Sequence, residues 1–163
     1  MKKTDTKDYL LLFTVWILTL ICLLLFIPRD KLREASVAFH FKQLLTWLFG
    51  LIVVNFKLLE YPVRLFKSVN SSSFTFEYFV FPSICVFFNV YYPEQAKSYL
   101  KVLYHLLYSS FLTGIEVLFE RNTNLVDYKK WNWSATFATV NLTFFLSRLY
   151  YFWFFKEKIA PKG

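Results

Sequence analysis

The stretch YLLLFTVWILTLICLLLFI, residues 9–27, carries no charged side chain, and its reading decides the fold class. Wound as an α-helix at about 1.5 Å per residue it makes a rod of about 28 Å, close to the ~30 Å hydrocarbon core of a bilayer. Asp8 precedes it and Pro28 closes it. Lys2, Lys3 and Lys7 followed by an apolar run resemble a signal peptide in outline. Ile27-Pro28-Arg29-Asp30 is not a small-residue cleavage site, however, so the expectation is a retained span.

Outward from this stretch the pattern repeats. Apolar segments fall at residues 44–66, 74–92, 99–119 and 134–155, separated by short polar links. The expectation is an all-α polytopic transmembrane bundle of about five helices with short connections, a single transmembrane domain over residues 1–163. Composition agrees: 56% of the 163 residues are hydrophobic and only 18% charged, against about 25% charged in soluble domains, and mean hydropathy is +0.39. Disorder, a collagen repeat and a disulfide scaffold are excluded. The net charge of +8 lies mostly between the apolar runs, which points to lipid headgroups and not to nucleic acid. Cys22 and Cys85 sit inside apolar runs and read as small buried hydrophobes.

Three links carry further expectations. Residues 28–43 read as a polar link, or an interfacial helix running into the second span. In the second span Lys57 and Glu60 are three residues apart and can pair on a helix face, with Pro62 kinking or ending that helix. Tyr128, Trp131 and Trp133 beside Lys129 and Lys130 read as an aromatic and basic interface belt. Lys and Arg divide almost evenly between the two sets of connections. The positive-inside rule therefore sets no orientation, and insertion of copies both ways is one reading.

The polar residues inside the spans are the candidate site. Glu116 and Glu120 share a face of the fourth segment, His105 lies nearly on that face three turns earlier, and Asn141 and Arg148 share a face of the fifth. An unpaired charge in lipid costs several kcal/mol, so these faces should turn inward as a network, with Arg148 pairing Glu116 or Glu120. Depth qualifies that pairing: in an antiparallel hairpin Asn141 matches the height of Glu116, and Arg148 lies nearer His105. Lys57, Glu60 and Glu77 are secondary candidates. Glu60 and Glu77 flank the second connection and would gather with Glu116 and Glu120 at one membrane face, as a charged vestibule of ordinary interfacial charge or as a cation or headgroup site.

The stretch EVLFERNTNLVDYKKWNW, residues 116–133, and the ending RLYYFWFF from Arg148 resemble a group of small uncharacterised multi-pass membrane proteins of low-GC Gram-positive, often spore-forming, bacteria. The resemblance covers about the last third of the chain. It implies Glu116, Glu120, Thr123, Tyr128, Trp131 and Arg148 as family-like positions and supplies no mechanism. The bacterial cytoplasmic membrane is the expected location.

No HExxH, DDxxD or GxSxG pattern, P-loop, dinucleotide fingerprint or haem attachment motif is present, so no catalytic, metal or cofactor-binding residue and no cofactor is expected. The leading expectation is a small integral membrane protein acting by helix packing, with the bilayer, a second copy or another membrane protein as partner. A small oligomeric transporter or channel using the Glu/His/Arg network comes second, and a membrane-embedded enzyme third.

Overall fold

The computed structural model describes residues 6–156. Five helices follow one another: α1 (Thr6–Phe26), α2 (Leu32–Asn55, entered through a tight turn at Arg29–Lys31), α3 (Phe74–Val90), α4 (Ser98–Asn122) and α5 (Trp133–Phe154). Three of them, α1, α2 with its entry turn, and α4, are long and apolar enough to cross a membrane. The chain is an all-α polytopic membrane protein.

The burial pattern runs opposite to that of a soluble globule. Leu24 of α1 is 74% exposed and Val102 of α4 58%, whereas Ser83, Ser109, Ser147, Thr136 and Thr143 are buried. Lipid is as apolar as leucine, so it offers no reason to hide leucine. It gives every reason to turn hydroxyls toward one another, and small residues let helices approach. This also explains why α5, though 22 residues long, is not among the helices apolar enough to span: Thr136, Thr143 and Ser147 form its inward face.

Helix α2 is central and packs on both α3 and α5, while α4 packs on α5. It begins at Leu32, well ahead of residue 44, so much of the expected polar link is helix inside the bundle. It ends at Asn55, and Lys57 takes a left-handed backbone with φ 54°. The expected Lys57–Glu60 helical pair therefore does not form. Glu60 lies instead in a two-residue strand, β1 (Leu59–Glu60), antiparallel to β2 (Asp127–Tyr128), with Lys129 Nζ 3.5 Å from its carboxylate. Val63 N–H adds a 3.0 Å bond to Asn124 O. The second and fourth connections are thus zipped into a cap over one end of the bundle. Helix α1 docks through Trp16, stacked 3.9 Å from the Phe79 ring, and through Asp8, which accepts 2.9 Å from Asn124 Nδ2.

The start of α3, Phe74–Val80, is wound as a π-helix, opened by Ser73 accepting from Phe76 N–H at 3.3 Å. Its cause lies at Pro82, which has no N–H to return to the turn before it. The carbonyls left over are those of Glu77 and Tyr78. Both are taken by α2 side chains: Thr46 Oγ1 donates to Glu77 O at 2.6 Å and Gln43 Nε2 to Tyr78 O at 2.9 Å. Such re-satisfaction by a neighbouring helix is what makes irregular backbone tolerable in a membrane.

Candidate functional site

Beneath the cap, α2, α3, α4 and α5 enclose a cavity of about 70 Å³. Its lining carries charged residues at two depths: Lys42 at the inner end, Glu77 and Glu116 toward the cap, with Thr46, Thr136, Thr139 and Thr143 between them and Tyr61 and Trp131 at the cap.

Glu77 is 2% exposed. The π-wound turn carries its carboxylate onto α2 at Gly50, where any Cβ would overlap it, so glycine there leaves the space it occupies. Oε1 accepts from Tyr61 OH at 3.1 Å, and among the described residues buried Oε2 has no hydrogen-bond partner. Burial, then the charges of Glu77 and Glu116, holds the Tyr61 phenol well above its ordinary value and keeps it a donor.

Glu116 is better served. Its Oε1 accepts from Tyr128 OH and from Thr136 Oγ1, each at 2.8 Å, and Trp131 Nε1 donates to Thr136 Oγ1 at 2.8 Å. Each hydroxyl has one hydrogen to give, so both can point at the carboxylate while the indole fills a lone pair of Thr136. Burial, with the Glu116 charge next, raises the Tyr128 phenol and secures it as a donor. Three residues of the fourth connection and its flanks, Glu116, Tyr128 and Trp131, therefore meet at one α5 threonine.

Lys42 is 1% exposed. Its Nζ donates to Thr143 Oγ1 at 2.6 Å and lies 4.2 Å from the centre of the Phe144 ring; among the described residues no carboxylate pairs with it. A cation–π contact gives about 0.5–2 kcal/mol, less than the several kcal/mol that burying an unpaired ammonium costs. Sequence reasoning missed Lys42 because it lies in the stretch read as a polar link. Ala35, Ala38, Lys42 and Thr46 nonetheless fall at helical spacing and are all buried, a stripe the sequence does contain.

The expected network of His105, Glu116, Glu120, Asn141 and Arg148 is divided among three places. His105 Nε2 lies 3.1 Å from Asn141 O, and Asn141 Nδ2 donates to Ser109 Oγ at 3.3 Å, which ties α4 to α5. Glu116 belongs to the cavity, and Glu120 does not line it. Arg148 pairs neither with Glu116 nor with Glu120. It pairs with Glu94 at the opposite end of the bundle, its guanidinium 3.9 Å from the Tyr92 ring centre. The reason is depth: α4 and α5 are antiparallel, so their charged ends lie on opposite sides. Glu77 does share the Glu116 cavity, whereas Glu60 and Lys57 stay exposed outside it. Among the described residues no group of three or more His, Cys, Asp or Glu is placed to hold a metal ion.

Comparison of the chain with family models, with curated proteins and with solved structures returns no match.

Proposed function

We propose that the chain is a small proton-handling membrane protein, with Glu77 as the group that takes up and releases the proton beneath the cap. The observation that carries this reading is the Glu77 carboxylate, buried in the bundle with one oxygen unpartnered, on a cavity shared with Glu116 and Lys42. An ionisable group kept inside a membrane bundle without a full set of partners is a functional site by default. Size selects the cargo. A cavity of about 70 Å³ is far below the ~300–1,000 Å³ of organic-ligand sites but ample for water, which needs about 10–15 Å³ by the same measure. The four threonines between Lys42 and the carboxylates supply hydroxyls that both give and accept hydrogen bonds.

Packing alone, the leading expectation from sequence, draws its support from Glu116, whose hydrogen bonds to Tyr128 and Thr136 tie α4 to the cap and to α5. Membership in the group of small multi-pass proteins of low-GC Gram-positive bacteria, and the bacterial cytoplasmic membrane as location, belong to the same proposal.

The test is decay of an imposed pH gradient in proteoliposomes. Wild type should collapse the gradient, and Glu77→Gln should slow this at least about tenfold while inserting and melting normally. Absence of flux in wild type, or equal flux in Glu77→Gln, would leave the packing role as the better account.

A further inference from the structure

At the face opposite the cap, the entry to α2, the end of α3, the connection after it and the last turns of α5 enclose a second cavity of about 330 Å³. This is within the range of small-ligand sites, about 300–1,000 Å³. Its polar lining is Lys31, Glu34, Asn89, Tyr92, Glu94, Gln95 and Tyr151.

The charges here are already balanced. Lys31 Nζ lies 3.4 Å from Glu34, which also accepts from Tyr151 OH at 2.7 Å. Arg148 pairs with Glu94 and lies over the rings of Tyr92 and Tyr151. Two cations and two carboxylates leave no net charge for a simple ion to neutralise.

Among the described residues two buried hydrogen-bonding atoms here remain unsatisfied, and they are of opposite kind. Asn89 is 3% exposed, and its Nδ2 donates to Cys85 O at 3.0 Å and to Ser147 Oγ at 3.2 Å. A backbone carbonyl can only accept, which fixes the amide orientation and leaves Oδ1 as the acceptor without a donor. Arg148 Nη1, whose carboxylate and ring partners line this cavity, is a donor without an acceptor.

The complement of such a site is a molecule with no net charge that carries N–H donors at one end and anionic oxygens at the other. The position supplies the rest. The cavity lies where helices end, and Phe152, Trp153 and Phe154 of the same α5 turns are exposed, as befits the acyl boundary of a bilayer. We infer that this cavity binds the headgroup of a phosphoethanolamine lipid, with its ammonium on Asn89 Oδ1 and the Glu34 and Glu94 carboxylates and its phosphate on Lys31. A choline headgroup has the same charges but no N–H to give Asn89, and a glycerol headgroup lacks the ammonium.

The test uses full-length protein in nanodiscs of equimolar phosphatidylethanolamine, phosphatidylcholine and phosphatidylglycerol, with retained lipid read by native mass spectrometry. Wild type should hold phosphatidylethanolamine about tenfold over the other two, a difference of about 1.4 kcal/mol. Asn89→Leu should abolish the preference. Lys31→Gln, at the rim and away from the Cys85 and Ser147 contacts, should weaken it without loss of folding. Equal retention of all three lipids, or a preference unchanged in Lys31→Gln, overturns the inference. In a second arm, delipidated protein should gain thermal stability from dioleoyl phosphatidylethanolamine and none from soluble O-phosphoethanolamine. Equal stabilisation by the soluble compound would reject the lipid as the source of that chemistry.

Discussion

At the face opposite the cap Arg148 meets Glu94 and the rings of Tyr92 and Tyr151, and Glu34 meets Lys31 and Tyr151. Deeper in the same bundle Lys42 meets a threonine hydroxyl, the Phe144 ring and, among the described residues, no carboxylate. The first arrangement is what physics demands of charge near lipid: opposite signs paired where helices end and water is close. The second violates that demand, at a cost of several kcal/mol. A charge that pairing would explain is compatible with a packing role. A charge kept without a carboxylate partner among the described residues, on a cavity that also holds a half-satisfied Glu77, requires another reason for its presence.

The comparison makes opposite predictions for removing a cation at each place. Arg148→Leu strands the Glu94 carboxylate on a cavity that also holds Glu34, and breaking a largely buried pair costs about 3 kcal/mol. The side chain of Arg148 is 12% exposed and that of Glu94 34%, so solvent relieves part of that cost and the expectation is the low end of the usual range. Thermal unfolding in detergent should show a drop in Tm larger than that of Gly50→Ala or Lys129→Ala. A Tm within error of wild type would mean that the far-face charges are as dispensable as ordinary surface pairs.

The second effect in size is at Gly50. Its missing side chain leaves the space the Glu77 carboxylate occupies, so Gly50→Ala must push that carboxylate or α3 away. Overpacking of this kind costs about 1–3 kcal/mol. Glu77→Ala vacates the same space. The double variant Gly50→Ala/Glu77→Ala should therefore melt above Gly50→Ala alone, the non-additivity expected of residues that share one space. Strict additivity of the two Tm shifts would remove Gly50 from the site.

These residues also show what the sequence could reveal. The 9–27 stretch and the neighbouring apolar runs suffice for a helical membrane bundle, because span length and hydropathy are local properties. The inward polar face of α5 is local too, since Thr136, Thr143 and Ser147 recur at helical spacing. The site is not local. Glu77 reaches Gly50 only because Pro82 unwinds the turn before it and α2 supplies Gln43 and Thr46 to satisfy the freed carbonyls. Lys42 is hidden for a different reason: it shares its stretch with Arg29, Asp30, Lys31, Arg33 and Glu34, so the whole segment reads as wet. Arg148 illustrates the reverse. Counting residues from the ends of two antiparallel helices already sets its depth apart from Glu116, and depth prevails over the attraction of opposite charges.

Lys42→Met should act against the usual trend. It removes a buried ammonium and leaves an unbranched apolar chain of similar reach, and such exchanges are neutral or stabilising by about 1–4 kcal/mol. Thr143 is not orphaned by the change, since its own hydroxyl donates to Val140 O at 3.0 Å. The expectation is a Tm raised by the lower end of that range, together with a slower collapse of the pH gradient in proteoliposomes. A clear fall in Tm would show that the Thr143 and Phe144 contacts do compensate for burial, and Lys42 would then belong with Arg148 as a structural charge.

The smallest effect is expected in the cap, at Lys129. Its ammonium lies 2.8 Å from Asp127 and 3.5 Å from Glu60, and it faces solvent. Its hydrogen bond to Asp127 and the Asp127 charge raise its pKa, so the ammonium stays charged through neutral pH, but exposed pairs of this kind are screened and contribute little. What closes the cap is backbone: Lys129 N–H and Lys130 N–H donate to Leu58 O at 3.0 and 2.9 Å, and Val63 N–H to Asn124 O at 3.0 Å. None of these bonds needs the lysine side chain. Lys129→Ala should leave Tm and the hydrogen-exchange protection of residues 127–130 unchanged, in low salt as in high. Faster exchange there in the variant, reproduced in wild type by added salt, would mean that surface charge holds the cap. The cavity below would then open with ionic strength.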